Sequence, residues 1–287
     1  MSEYKSQRGE IILIILLVMA VGLTIGLAVA SRSITDVRLS NQIEESSRAF
    51  SAAEAGIEEV LKTGLINYTP PGGSVSVGSG ASYNVQLNSY GPSNDIFTFP
   101  TEIAEGDTQT IWLVGQKADG SGPDDSVRLY NGGSINLCWE DLVTGTTPAL
   151  DVSLLFKSGS EYKVVREAFD PVSRSNDFVP AQNGDQCSMA GTNQKYWTLF
   201  NFNMDASIPY DNINDTPIAI RVRPVYTKTK IAAKGSDGGI IPEQGKNIVS
   251  TGQTNSGVER RWNVVQTYSS PNDIFDYAVW SNKDLTK

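Results

Sequence analysis

The chain contains no histidine. Without imidazole it cannot build a Ser-His-Asp or Cys-His nucleophile pair, a histidine-ligated zinc or a histidine pH switch. Cysteine is scarce as well, and Cys138 and Cys187 alone are too few for a four-thiolate zinc or iron–sulfur site. Net positive charge is also missing. The balance over 287 residues is −9, which opposes bulk binding to nucleic acid, so nucleic acid is not an expected partner. No phosphate-cradling glycine loop, metal-ligand cluster or nucleophile constellation is recognisable, and the expectation is a protein that is no enzyme and holds no metal or other cofactor.

Charge is absent altogether from residues 11–30, IILIILLVMAVGLTIGLAVA. As a helix this run measures about 30 Å, the thickness of a bilayer core. A secretory signal peptide has a shorter apolar core, roughly 7–15 residues before its cleavage site, so this segment is expected to stay in the protein as a single membrane span. Lys5 and Arg8 stand against Glu3 and Glu10 before it, and Arg32 and Arg38 against Asp36 after it. The basic residues are so evenly divided that charge alone does not set the orientation.

The helical pattern continues beyond the span. Phe50, Ala53, Ile57 and Val60 step by three and four, charged residues fill the other faces, and no proline occurs before Pro70. Gly64, one turn after Val60, supplies a C-terminal stop. These features predict one helix over residues 10–63, on the order of 80 Å long, apolar all round in its first half and amphipathic in its second.

Three features together carry a resemblance: a short polar leader ending in Gln7-Arg8-Gly9, the uncharged span, and the closing stretch RAFSAAEAGIEE at 48–59. They resemble type IV pilin-like proteins, and in particular the PilX-like minor pilins. GKNIVSTG at 245–252, VERR at 258–261 and FDYAVWS at 275–281 are similar to the terminal strands and closing aromatic motif of that group. The resemblance implies a leader, residues 1–9, removed by a prepilin peptidase between Gly9 and Glu10, with methylation of the new N-terminus. It implies a subunit held in the cytoplasmic (inner) membrane before assembly and in a cell-surface pilus afterwards, with other pilin subunits as partners through the helix. The implied role is structural, a minor pilin that initiates, caps or decorates the filament. A tethered surface adhesin that never assembles and a pseudopilin of a type II secretion system are the alternatives. One departure stands out: major pilins place a glutamate five residues into the mature chain, where this sequence has Ile14.

Gly22, Gly26 and Ala30 recur at four-residue steps inside the span. Close contact with another helix explains such a pattern, and so does the ordinary abundance of small residues in membrane helices. Together with Phe50, Ala53 and Ile57 they are the candidate packing positions.

Composition changes after residue 63. Residues 64–82 read as a linker and residues 83–287 as a β-rich extracytoplasmic head, giving an α+β, pilin-like fold class. Candidate strands are 83–87, 110–114, 127–130, 134–139, 152–156, 162–166, 196–202, 218–226, 247–250, 261–268 and 277–281. They suit a sandwich-like head or a pilin sheet with a large insertion between Pro100 and Asp215. In an oxidising compartment Cys138 and Cys187 form one disulfide or remain two buried thiols. Asp119, Asp124 and Asp125, and Asp211 and Asp215, suit either solvated turns or a calcium loop, although the EF-hand spacing is not met. Arg221, Arg223, Lys228, Lys230 and Lys234 form the one basic stretch, readable as a DNA-binding or anion-binding patch or as a lysine-protected edge strand.

Overall fold

The computed structural model describes residues 8–78, 80–92, 95–189 and 195–272, with side chains described from Ile12 onward. The candidate strand at 277–281 and the aromatic motif at 275–281 lie outside the described residues. The fold is α+β and pilin-like in architecture: one long N-terminal helix followed by a large β-rich globular part.

Helix α1 runs Arg8–Thr63 without a break. Gly64 ends it, with φ at +91° and its amide donating to the Val60 carbonyl at 2.9 Å. The left-handed conformation is costly for any residue with a Cβ, which is why the stop needs glycine there.

The strands follow in order: β1 (Val75–Val77), β2 (Ala81–Tyr90), β3 (Ile96–Thr98), β4 (Gln109–Trp112), β5 (Ser134–Glu140), β6 (Ala149–Ser158), β7 (Glu161–Asp170), β8 (Val179–Pro180), β9 (Gln182–Asn183), β10 (Lys195–Asn201), β11 (Thr216–Val225), β12 (Ile231–Gly235), β13 (Gly245–Thr254) and β14 (Glu259–Thr267). They form a four-stranded sheet, β1-β2-β13-β14, and two five-stranded sheets, β3-β12-β5-β10-β9 and β4-β11-β6-β7-β8. The chain makes two compact units. One holds the helix through Glu59 with Pro70–Val85 and Val249–Trp262; the other holds Val60–Thr69, Gln86–Ile248 and the chain from Asn263.

Within the second unit the two five-stranded sheets form a sandwich over one core. Ile135, Leu137 and Trp139 of β5 and Phe200 of β10 come from one sheet, and Leu150, Val152, Leu154 and Phe156 of β6 with Ile220 and Val222 of β11 from the other. Alternation explains the arrangement: on β6 Leu150, Val152, Leu154 and Phe156 are sealed from solvent while Ser153, Leu155 and Lys157 on the opposite face are half-buried. Strands β3 to β12 all fall in the chain between β2 and β13, which are neighbours in the four-stranded sheet. The sandwich is thus also an insertion, running from residue 91 to 243 rather than from 100 to 215. At its root the Gln244 amide donates to the Tyr90 carbonyl at 2.7 Å. The buried Gln244 side chain then serves β4, accepting from the Trp112 amide at 2.7 Å and donating to its carbonyl at 2.8 Å.

Several sequence expectations differ from the fold, and β1, β3, β8 and β9 are strands that no candidate range covered. Residues 127–130 form no strand, because Arg128 folds back onto the Tyr130 carbonyl at 3.0 Å and reaches Asn212, turning the backbone out of an extended ladder. Strand β12 was hidden in the basic stretch, where Lys230 and Lys234 flank the buried Ile231, Ala232 and Ala233.

Candidate functional site

In the first unit, the second half of α1 meets the sheet through its smallest residues. Ala49, Ala52 and Ala53 are sealed and Ile57 is nearly so. The approach leaves no room for side chains at two glycines. A Cβ on Gly56 would overlap Ser250 Oγ and lie 2.9 Å from the Tyr83 and Val85 side chains. A Cβ on Gly252 would overlap the Ala49 carbonyl oxygen and lie 2.5 Å from the Ala53 amide nitrogen. Helix and strand β13 therefore touch backbone to backbone. Phe50 stands at the margin, edge-on to Trp262 with ring centroids 5.1 Å apart.

Polar contacts fix the register of the same face. Arg260 Nε donates to Ser46 Oγ at 2.9 Å, and Ser256 Oγ donates to the Glu45 carboxylate at 2.5 Å. The Ser256 hydroxyl, with help from Thr254 and Arg48, holds the Glu45 carboxyl below its usual range. Of the predicted packing residues, the structure brings Phe50, Ala53 and Ile57 to this interface. Gly56 and Gly252 were missed as packing positions, although the spacing Ala49, Ala53, Gly56 is a small-residue stripe at helical period and was a usable signal.

The first half of α1 is a different surface. Every residue from Ile12 to Asn41 is exposed, including the apolar ones, and a Cβ on Gly22 or Gly26 would meet nothing within 4 Å. Ala30 is exposed on the same helix. This is the one helix among the described residues that is long and apolar enough to cross a membrane. Gly9 and Glu10 fall at the start of the described helix.

In the sandwich, Cys138 of β5 and Cys187 are joined in a disulfide and both are buried, packed with Met189 and Ala232. Beside the bridge Lys195 pairs with Asp185 at 2.7 Å. Burial opposes the Asp185 charge, and the Lys195 bond together with the Cys187 and Met189 amides outweighs it, so the carboxyl sits below its usual range.

The five basic residues are not gathered into one patch. Arg221 and Arg223 lie on β11 in one sheet, and Lys234 on β12 in the other. Arg223 pairs with Asp151, and Lys228 with Glu102 at 2.6 Å. Lys230 is half-buried between the two strands. The acidic loops are Asx-type turns: Asp119 accepts from the Ser121 amide at 2.9 Å, Asp124 from Ser126 at 3.1 Å and Asp211 from Ile213 at 2.8 Å. Hydrogen bonds from Ser121 and Ser126 side chains and from the Ile213 amide are the main reason these three carboxyls titrate below the usual range.

No protein-family model matches the chain, and no curated protein sequence is significantly similar to it. The structure by itself supports a subunit with a single apolar N-terminal helix suited to membrane anchorage and a β-rich globular part.

Proposed function

We propose that the chain is a minor pilin of the PilX-like kind, a structural and non-enzymatic subunit that initiates, caps or decorates a type IV pilus. The observation that carries this reading is the divided character of α1, apolar and exposed on every side through residues 12–30, then packed backbone to backbone on β13 from Ala49 onward. A helix apolar all round needs lipid or other helices about it, and exchange between the two is what growth of a filament from a membrane pool requires. The subunit waits in the cytoplasmic membrane, loses residues 1–9 to a prepilin peptidase, and then joins surface filaments. Ile14, standing where major pilins place a glutamate, favours the filament end over the shaft, because an end subunit has no further amine above it to neutralise.

The test is mass spectrometry of the N-terminal peptide from membranes and from sheared surface material of the native host. A chain beginning at Glu10 and present in the sheared fraction is the expected result. An intact leader found only in membranes overturns assembly and leaves a tethered surface protein.

A further inference from the structure

Three stretches far apart in the sequence wall a cavity of about 470 Å³: residues 64–67 just past the end of α1, residues 120–122, and residues 266–269 where β14 ends. Leu61 and Gln116 complete it, and every one of these residues belongs to the second compact unit. The walls are held by their own backbone bonds. The Tyr68 amide donates to the Gly64 carbonyl at 3.0 Å and the Tyr268 amide to the Gln244 carbonyl at 3.0 Å. In the turn between them the Lys117 amide donates to the Gly122 carbonyl at 2.8 Å and the Gly120 amide to the Lys117 carbonyl at 2.9 Å.

Among the described residues, none that lines the cavity is charged. Of the charges beside it, Lys117 and Asp119 attract each other, and Glu243, which receives the Tyr268 hydroxyl, pairs with Lys246 at 2.7 Å. The walls offer instead three carboxamides, Asn67, Gln116 and Gln266, and the hydroxyls of Ser121 and Ser269, with the Tyr268 ring beside them. A carboxamide carries donor and acceptor together, and so does a hydroxyl. The Gln116 amide nitrogen is buried and has no hydrogen-bond partner among the described residues. A buried donor left unpaired is costly, and a ligand oxygen that reaches it would remove the cost.

We propose that this cavity binds a neutral saccharide, a sugar ring resting against Tyr268 and its hydroxyls exchanging hydrogen bonds with Gln116 and the other carboxamides. The volume is that of a small-ligand site. Uncharged walls select against a charged ligand, which would leave water without gaining a counter-charge. Sugar hydroxyls donate and accept at once, as these walls do, and an aromatic ring suits the apolar face of a pyranose. An extended peptide is recognised through a free row of backbone amides and carbonyls. Here the backbone of the 117–122 turn is bonded to itself, and recognition falls to the side chains.

The test uses the full-length chain in a detergent without a sugar head group, applied to immobilised neutral oligosaccharides of hexose and N-acetylhexosamine, each beside a sulfated or uronate counterpart. Binding to neutral members, unaffected by salt, is expected, with a higher melting temperature in their presence. Gln116→Met removes the amide while keeping the length of the side chain. It should lower affinity about tenfold or more and leave the melting temperature of the free protein unchanged or raised. Tyr268→Phe, which keeps the ring, should retain binding. If Gln116→Met lowers the melting temperature, Asn67→Ala takes its place. Absence of binding to every neutral member, preference for the charged counterparts, loss of binding in salt, undiminished binding by the carboxamide variant, or equal capture of an uncharged extended peptide overturns the proposal. The result is independent of leader cleavage and of filament assembly.

Discussion

Gly252 of β13 stands against Ala49 of α1 so closely that a Cβ at Gly252 would overlap the Ala49 carbonyl oxygen. The obstacle is backbone, which cannot rotate away as a side chain can. Gly252→Ala is expected to destabilise by about 1–3 kcal/mol through overpacking, and Gly252→Val by more. Urea unfolding of the two variants beside the parent protein checks this; unchanged midpoints would refute the close approach.

Gly22 and Gly26 are the opposite case. Nothing lies within 4 Å of a Cβ at either position. The double variant Gly22→Leu/Gly26→Leu should leave the stability of the globular part within about 0.5 kcal/mol of the parent. If the helix packs in a filament through these glycines, the same variant should be depleted from sheared surface material while its membrane level holds. Equal recovery in both fractions would assign the pair to ordinary membrane-helix composition.

The Cys138–Cys187 bridge closes a sequence separation of 49 residues. In the chain-entropy model such a loop is worth about 4 kcal/mol. Cys138→Ala/Cys187→Ala is therefore expected to unfold at distinctly lower denaturant, and reductant should lower the parent's midpoint toward the variant's. A parent indifferent to reductant after full unfolding and refolding would argue against the bridge.

Tyr130 and Tyr210 are pushed up to about 12, in each case chiefly by burial. The Tyr130 hydroxyl also donates to the Ser134 carbonyl at 2.5 Å and accepts from the Ser236 amide at 3.1 Å. Both phenols ionise more readily once unfolded, near pH 10. The stability they contribute is fully present below about pH 10 and is lost as the pH rises toward 12. Alkaline titration should show these two tyrosines, together with Tyr268, whose phenol is likewise pushed up by burial and by Glu243, ionising late and together with unfolding. Tyr130→Phe should remove one of them and cost about 1–2 kcal/mol at neutral pH through the stranded Ser236 amide.

Local pattern made the helix readable: its period, its lack of breakers and its glycine stop are all features of neighbouring residues. Strand pairing was less accessible, because β2 and β13 come from opposite ends of the chain and nothing local announces that they are neighbours. The basic stretch divides between two sheets for the same reason. Arg221, Arg223 and Lys234 are close in sequence, yet the chain passes from one sheet to the other between them, and proximity along the backbone became separation in the fold. Arg166 and Arg223 both pair with Asp151, a meeting that only the strand registers on either side of β6 bring about.

Tyr90 and Gln244, joined amide to carbonyl, bracket the whole sandwich. A segment whose two ends already meet can be lengthened, exchanged or removed without rerouting the chain on either side of it, since a short turn between Tyr90 and Gln244 would close the gap. The strands that receive α1 and the strands of the sandwich can therefore be altered separately. The sandwich is in effect a cassette, and replacing residues 91–243 with a foreign domain whose termini lie equally close is a route to displaying new cargo on the same anchor.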